Sequence, residues 1–156
     1  MSYEEDGILE LKDLTLPSEE RLNKGPVVII ECIENIPCDP CVDVCPFNAI
    51  SLKKVIDIPK VDYEECTGCG LCISICPGLA IFVVDISQEK AVITIPFEFL
   101  PVPQVGDTVK ALDRKGKAVG EARVIRVKKN KDKTNTIAVE TDKELGLNVR
   151  NIQVVK

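Results

Sequence analysis

Histidine and tryptophan are absent from this 156-residue chain, and phenylalanine and tyrosine together number only six. Without histidine, the chain cannot form His-ligated zinc sites, Rieske-type centres or His-dependent catalytic triads. So few aromatic rings argue against a sequence-tolerant single-strand nucleic-acid binder, which stacks bases on aromatic side chains. Long apolar runs are missing too, since the longest clean ones cover residues 27–30 and 79–84. A membrane-spanning helix needs about 20 apolar residues, so none is expected.

The composition describes a globular chain with 45% hydrophobic residues and an uneven charge distribution. Residues 1–100 carry 7 Lys and Arg against 18 Asp and Glu, a net charge of −11, whereas residues 101–156 carry 13 against 7, a net charge of +6. This asymmetry predicts two surfaces with different partners. The N-terminus is acidic and lacks a basic, apolar leader. We therefore expect no signal peptide and a cytoplasmic location.

Eight cysteines lie between positions 32 and 76, and none follows. Disulfide frameworks are typical of short secreted chains, so metal binding is the stronger interpretation here. The cysteines form two runs, Cys32-x5-Cys38-x2-Cys41-x3-Cys45 and Cys66-x2-Cys69-x2-Cys72-x3-Cys76, each followed by proline. The last three cysteines of the two runs align at an offset of 31 residues, and the similarity continues beyond them. The segment is therefore an internal duplication of about 30 residues.

The second run is the bacterial iron–sulfur spacing. Zinc ribbons instead pair Cys-x2-Cys knuckles across a spacer, and two triplets with trailing Cys-Pro fit them poorly. On this motif, residues 27–95 resemble a two-cluster ferredoxin with two [4Fe-4S] centres. The resemblance implies crossed ligation, because the fourth cysteine of each run binds the other run's cluster. One cluster would be held by Cys32, Cys38, Cys41 and Cys76, and the other by Cys66, Cys69, Cys72 and Cys45.

The first run departs from the family pattern at its five-residue spacer, residues 33–37. We expect Cys32 to reach its iron across this larger loop. The alternatives are a three-iron centre or a non-cysteine ligand, for which Asp39 is the nearby candidate.

Residues 16–26, together with Cys32 and the segment 36–41, resemble the small iron–sulfur subunit of multi-subunit FAD-dependent dehydrogenases, such as proline dehydrogenase and cyanide-synthase-like assemblies. This resemblance implies flavoprotein partner subunits that oxidise an amine or amino acid and pass electrons to this chain. Catalysis would then lie in the partners, with no catalytic residue here. A freely diffusing ferredoxin is the first alternative. A structural or nucleic-acid-binding module with non-redox clusters is a remote one.

The expected fold class is α+β, with three parts. An acidic segment covers residues 1–24, a two-cluster ferredoxin-type domain residues 25–96, and a small, basic, all-β barrel-like domain residues 97–156. Pro96, Pro101 and Pro103 mark the boundary between the last two. A short helix is expected at residues 42–47, with the fourth cysteine on its first turn. Basic side chains of the last domain form a candidate docking surface for an acidic partner: Arg114, Lys115, Lys117, Arg123, Arg126, Lys128, Lys129, Lys131 and Lys133.

Overall fold

The structure is a computed structural model that describes residues 3–33, 35–131 and 133–155. Glu34, in the spacer of the first cysteine run, lies outside the described residues, as do Asp132 and the chain ends. The described α-helices are short: α1 (Tyr3–Asp6), α2 (Glu19–Lys24), α3 (Pro40–Val44) and α4 (Leu71–Ile75). The described strands are β1 (Val27–Ile30), β2 (Ile50–Ser51), β3 (Lys60–Val61), β4 (Ile81–Asp85), β5 (Lys90–Phe97), β6 (Thr108–Leu112), β7 (Ala118–Lys129), β8 (Asn135–Asp142) and β9 (Asn151–Val154).

Seven strands form one large antiparallel sheet in the order β1-β4-β5-β8-β7-β6-β9. β2 and β3 pair separately beside the cysteine segment. Few residues are helical, and no helix in the described part of the chain has the length and apolar character that crossing a membrane requires.

Strand β4 lies between two hydrophobic clusters, which explains its uninterrupted apolar sequence. Phe82 and Val84 pack into the main core on one face of the sheet. Ile81 and Val83 pack on the opposite face against the cysteine-bearing helices, where Ile73 is fully buried. A strand buried on both faces reads as a continuous apolar run rather than an alternating one. The large sheet thus separates the main core from the cysteine segment.

The sheet continues across the predicted domain boundary at residue 96. Strand β5 pairs with β8 from Lys90 to Phe97, and Pro96 lies inside it, opposite Thr136. Pro96, which the sequence analysis placed at a domain boundary, therefore lies inside a strand. It is tolerated because the β4 pairing ends at Thr94, so no second strand needs its missing N–H. The strands expected to form a separate small barrel continue this same sheet. The division into domains itself stays a prediction.

The two ends of the sheet lie close together, although β1 and β9 are the outermost strands. Ile29 of β1 and Ile152 of β9 belong to the same core cluster. The carboxylate of Glu31, directly after β1, accepts hydrogen bonds from Arg114 and Arg150, which flank β6 and β9. The sheet therefore curls around its core. Arg114, which the sequence analysis placed on the basic surface, has a side chain that is only 10% exposed.

Candidate metal centre

The duplicated cysteine runs form matching helix-and-turn units. Helices α3 and α4 begin one residue before the third cysteine of each run and end one residue before the fourth. The predicted helix at residues 42–47 is therefore misplaced, because α3 covers Pro40–Val44. Proline is favoured at the first helical position, and the residue before a proline avoids the helical region. Cys45 and Cys76 accordingly follow their helices in extended conformation.

The turns after these two cysteines have the same geometry. Asn48 and Leu79 occupy equivalent positions with φ of 54° and 52°. The next backbone N–H in each half points at a sulfur, from Ala49 to Cys45 Sγ at 3.4 Å and from Ala80 to Cys76 Sγ at 3.5 Å. Backbone N–H groups directed at sulfur stabilise negative charge there. The fourth cysteine of each run is thus presented in the same way.

Cys45 faces the cysteines of the other run across a small cavity. Cys66, Cys69 and Cys72 line the same cavity. We refer to these four residues as the second cysteine set. Apolar side chains complete the lining, among them Val28, Phe47, Ala49, Ile50 and Leu71. Within the set Cys72 is buried and Cys69 is exposed. The backbone N–H of Val28 also donates to Cys66 Sγ, at 3.4 Å.

Cys76 stands beside the cysteines of the first run. Burial raises the pKa of the Cys38 thiol, and neighbouring Cys76, Cys32 and Asp39 raise it further. Burial, followed by the influence of Cys76, Cys38 and Cys32, raises the pKa of Cys41 to about 11. These four cysteines, the first cysteine set, therefore lie within electrostatic reach of one another. Asp39 is exposed at the start of α3 and faces Cys38 closely enough to influence it.

In the second cysteine set, too, burial and neighbouring cysteines raise the pKa of a thiol. Burial, together with neighbouring Cys66 and Cys69, raises the pKa of Cys72 to about 12. All eight cysteines are free of disulfides. Buried thiols of this kind are neutral at pH 7, and a bound metal deprotonates them by supplying positive charge. The donor sets therefore fit a cationic metal core.

Across the described ranges, no group of three or more Cys, Asp or Glu side chains converges closely enough to hold one metal ion. The four cysteines of a cubane bind four separate iron corners, so they surround the core rather than meet at a point. Two sets of four cysteines match two such cores in number and in ligand type.

Arg21 of α2 is a buried residue near the second cysteine set that the sequence analysis did not single out. Its guanidinium donates to four backbone oxygens: Tyr63 at 2.6 Å, Gly25 at 3.2 Å, Pro26 at 3.0 Å and Cys66 at 2.7 Å. Within the described residues it forms no ion pair. Arg21 therefore fixes the start of the second cysteine loop while bringing an uncompensated positive charge close to Cys66. No local sequence pattern distinguishes it from a solvated arginine.

Gly68 lies within the second loop, where it packs against the segment that leads into β1. It has a φ of +71°, and a Cβ there would lie 2.5 Å from Pro26 Cβ and 2.6 Å from the Pro26 carbonyl carbon. Only glycine meets both requirements without strain. Its role is therefore to seat the loop on Pro26.

Tyr63 connects the second cysteine loop to the N-terminal segment. Its hydroxyl donates to the Thr15 carbonyl oxygen at 2.9 Å, and its own carbonyl accepts from Arg21. It does not line the cavity of the second cysteine set. Burial and the nearby Cys66 raise the pKa of its phenol. Tyr63 thus holds the N-terminal segment in place rather than covering the cavity.

The first cysteine loop is anchored by a different buried arginine. Glu31, which precedes Cys32, pairs with Arg114 at 2.7 Å and with Arg150. Arg150 is 6% exposed, and its guanidinium carbon lies 5.2 Å from the centre of the Phe82 ring. Burial lowers the pKa of Arg150, and Glu31 opposes that shift. The start of the first loop is therefore fixed to residues more than 80 positions away.

Comparison with known proteins agrees with this geometry. A 4Fe-4S dicluster domain family matches residues 31–80, about a third of the chain. A ferredoxin of Methanocaldococcus jannaschii is 37% identical over 79 residues, which cover 49% of each protein. The ferredoxin-type protein NapF of Haemophilus influenzae is 35% identical over 68 residues, 40% of this chain and 39% of the relative.

A polyferredoxin-like subunit of an aliphatic sulfonate oxidoreductase from Pyrococcus furiosus is 38% identical over 53 residues, 34% of this chain and 28% of the relative. The chain thus spans half or less of the length of these relatives. No solved structure matches. The matched segment contains all eight cysteines, so it includes both cysteine sets in full. Residues 31–80 therefore form an iron–sulfur ferredoxin-type domain.

Proposed function

We propose that this chain binds two [4Fe-4S] clusters and serves as an electron-transfer subunit of a larger oxidoreductase complex. The observation that carries the proposal is the exchange of the fourth cysteines between the two runs. Cys45 shares a cavity with Cys66, Cys69 and Cys72, while Cys76 influences Cys38 and Cys41. Each cysteine set would hold one cluster, with Cys32 included in the first set despite its longer spacer.

The chain's own residues bind the clusters and control their surroundings. When bound, each cluster accepts and releases one electron with little rearrangement. The cysteine thiolates bind iron, and the N–H groups of Val28, Ala49 and Ala80 donate to sulfur. Apolar residues around the second set, such as Ile50, exclude water. Substrate chemistry would take place in partner subunits.

The two sites adjoin each other through helices α3 and α4. Cys41 lies on α3 and Cys72 on α4, and Cys41 contributes to the raised pKa of Cys72. Both helices pack into one small hydrophobic cluster that includes Ile73 and Val28. This closeness supports electron exchange between the two sites inside the protein.

A fixed subunit is favoured over a diffusing carrier by the elements outside the ferredoxin-type domain. The N-terminal segment and the strands after residue 97 contact the two cysteine loops directly, through Arg21 and Arg114. The Pyrococcus relative is itself an oxidoreductase subunit. The resemblance of residues 16–26 to small subunits of FAD-dependent dehydrogenases supports flavoprotein partners that oxidise an amine or amino acid.

Anaerobic purification of the tagged chain from its own cells tests this proposal. We expect copurifying chains, a flavin absorption band and cluster absorption that dithionite bleaches and air-free reoxidation restores. A lone iron-loaded chain with reversible bleaching would favour a diffusing ferredoxin instead. Clusters that resist reversible reduction would contradict electron transfer and indicate a structural role.

A further inference from the structure

We propose that the groove between the second cysteine loop and strand β7 is the docking site for an acidic redox partner protein. This inference rests on the proposed electron-transfer function and assigns the place of electron exchange to the Cys69 edge. The groove has a volume of about 190 Å³. One wall is the second loop with Cys69 and Leu71, and the other is the sheet with Arg126 and Lys128.

Cys69 is the exposed member of the second cysteine set, and it lines both the cluster cavity and this groove. Cys72 of the same set is buried. Electron exchange weakens steeply with distance, so a partner would need to contact the protein at the exposed ligand. The groove places the sheet's basic side chains beside that point.

A β-bulge aims the two basic side chains at the groove. Ala122 and Val124 of β7 face the main core, and the register shifts between Val124 and Arg126. Because side chains alternate along a strand, Arg126 and Lys128 would share the core face with Val124 if the strand were regular. The extra residue reverses this alternation, so Val127 packs on the core while Arg126 and Lys128 line the groove.

These two charges are exposed and have no ion-pair partner in the part of the chain that the structure describes. The first 100 residues carry a net charge of −11, which repels an acidic protein that approaches the second loop. Arg126 and Lys128 place two positive charges beside Cys69. Complementary charge at the edge of an interface speeds association and fixes orientation.

Two exposed apolar side chains beside Cys69 favour a protein over a small anion as the occupant of the groove. Phe47 and Leu71 are each 42% exposed, and both line the cavity that also contains Cys69. A phosphate-sized ligand would not bury these apolar side chains, whereas a protein interface combines an apolar centre with a charged rim. The expected partner therefore presents carboxylates around an apolar patch.

Charge reversal of the groove tests the proposal on the cluster-loaded chain. The variant is Arg126→Glu with Lys128→Glu. The matched control is Lys110→Glu with Lys143→Glu, which makes the same net charge change at two exposed lysines that do not line the groove. Flavodoxin serves as the acidic protein probe and cytochrome c as the basic one. Anaerobic biolayer interferometry measures Kd, and stopped-flow absorbance measures reoxidation of the dithionite-reduced protein.

We expect the groove variant to bind flavodoxin about tenfold more weakly and to lose most of the salt dependence of the rate, while cytochrome c reacts faster. The control variant should stay within about twofold of the unmodified chain. Iron content and thermal unfolding confirm that each variant is intact. Equal changes in flavodoxin affinity in both variants, or no change in either, would overturn the proposal that the groove is a docking site. Saturable binding of inorganic phosphate that the groove variant abolishes, with flavodoxin unaffected, would overturn it in favour of a small-anion site. A chain that dithionite cannot reduce would instead refute the proposed function.

Discussion

The two cysteine loops share one backbone frame but are anchored in opposite ways. In both halves a five-residue helix ends before a Cys-Pro pair, and a left-handed residue and an N–H to sulfur follow. The second loop contains Gly68 and is fixed by Arg21, which comes from the N-terminal segment. The first loop has a longer spacer and begins at Glu31, which the strands near the C-terminus hold through Arg114 and Arg150.

The duplicated halves share the backbone that presents the cysteines, whereas the anchoring contacts differ between them. The shared backbone depends on residues close to each cysteine in sequence. The anchors set the position of each loop relative to the sheet, and they come from distant parts of the chain. The segments outside the ferredoxin-type domain are thus part of the support of the two loops. Substitutions can therefore disturb one half and spare the other.

Loss of a fourth cysteine should have the largest effect and should act on the opposite run. We expect Cys45→Ala to lower the iron content from about eight to about four atoms per chain, with Cys66, Cys69 and Cys72 becoming reactive to iodoacetamide. Cys76→Ala should instead expose Cys32, Cys38 and Cys41. Mass-spectrometric mapping of the alkylated cysteines checks this. Exposure of the altered cysteine's own run in each variant would contradict crossed ligation.

Glu31→Gln should destabilise the first loop strongly. It removes the carboxylate that faces two arginines and leaves the buried Arg150 without a charge partner, which costs about 3–5 kcal/mol. Anaerobic urea unfolding followed by cluster absorbance measures the loss. The control is Asp142→Asn, which breaks the exposed pair with Lys90 and should cost less than about 1 kcal/mol. Similar small losses in both variants would show that Glu31 is not an anchor.

The local frame was predictable from the sequence because each step depends on neighbouring residues. Cysteine spacing and the trailing Cys-Pro pairs predicted the two duplicated halves. The helix boundaries were wrong because Pro40 can begin a helix and Pro46 excludes Cys45 from it. Pro96 lies inside β5 because a proline can occupy a strand that lacks a partner on one side.

The anchors could not be predicted because they join distant positions. Glu31 and Arg114 are 83 residues apart, and Arg21 and Cys66 are 45 apart. Their contacts depend on the β5–β8 register and on the curl of the sheet, and no short periodicity encodes either. A buried arginine looks like a solvated one in a single sequence. The groove beside Cys69 could not be predicted either, because it depends on a bulge in β7.

Gly68→Ala should destabilise the second loop, with a loss of stability somewhat smaller than that expected for Glu31→Gln. The new Cβ would meet the Pro26 backbone at a left-handed φ, so we expect a loss of about 3 kcal/mol in stability. Gly78→Ala is the matched control, because no atom lies within 4 Å of a Cβ there and its φ is not left-handed. Thermal unfolding of both iron-loaded variants compares them. An unchanged Gly68 variant would mean that the loop does not rest on Pro26.

Arg21→Met should give a smaller and more selective change. Removing the positive charge beside Cys66 is expected to lower the reduction potential of the second site by roughly tens of millivolts and leave the first site unchanged. Arg21→Lys keeps the charge and should retain most of the potential. Anaerobic titration followed by electron paramagnetic resonance measures both sites. Equal shifts at both sites would contradict a local effect of Arg21.

Anaerobic native mass spectrometry of the isolated chain tests most directly whether the two loops hold two clusters. We expect a mass above the 17.1 kDa polypeptide by about two four-iron, four-sulfide cores, with all eight cysteines protected from alkylation. A single four-iron core, or a mass that fits zinc without sulfide, would contradict it.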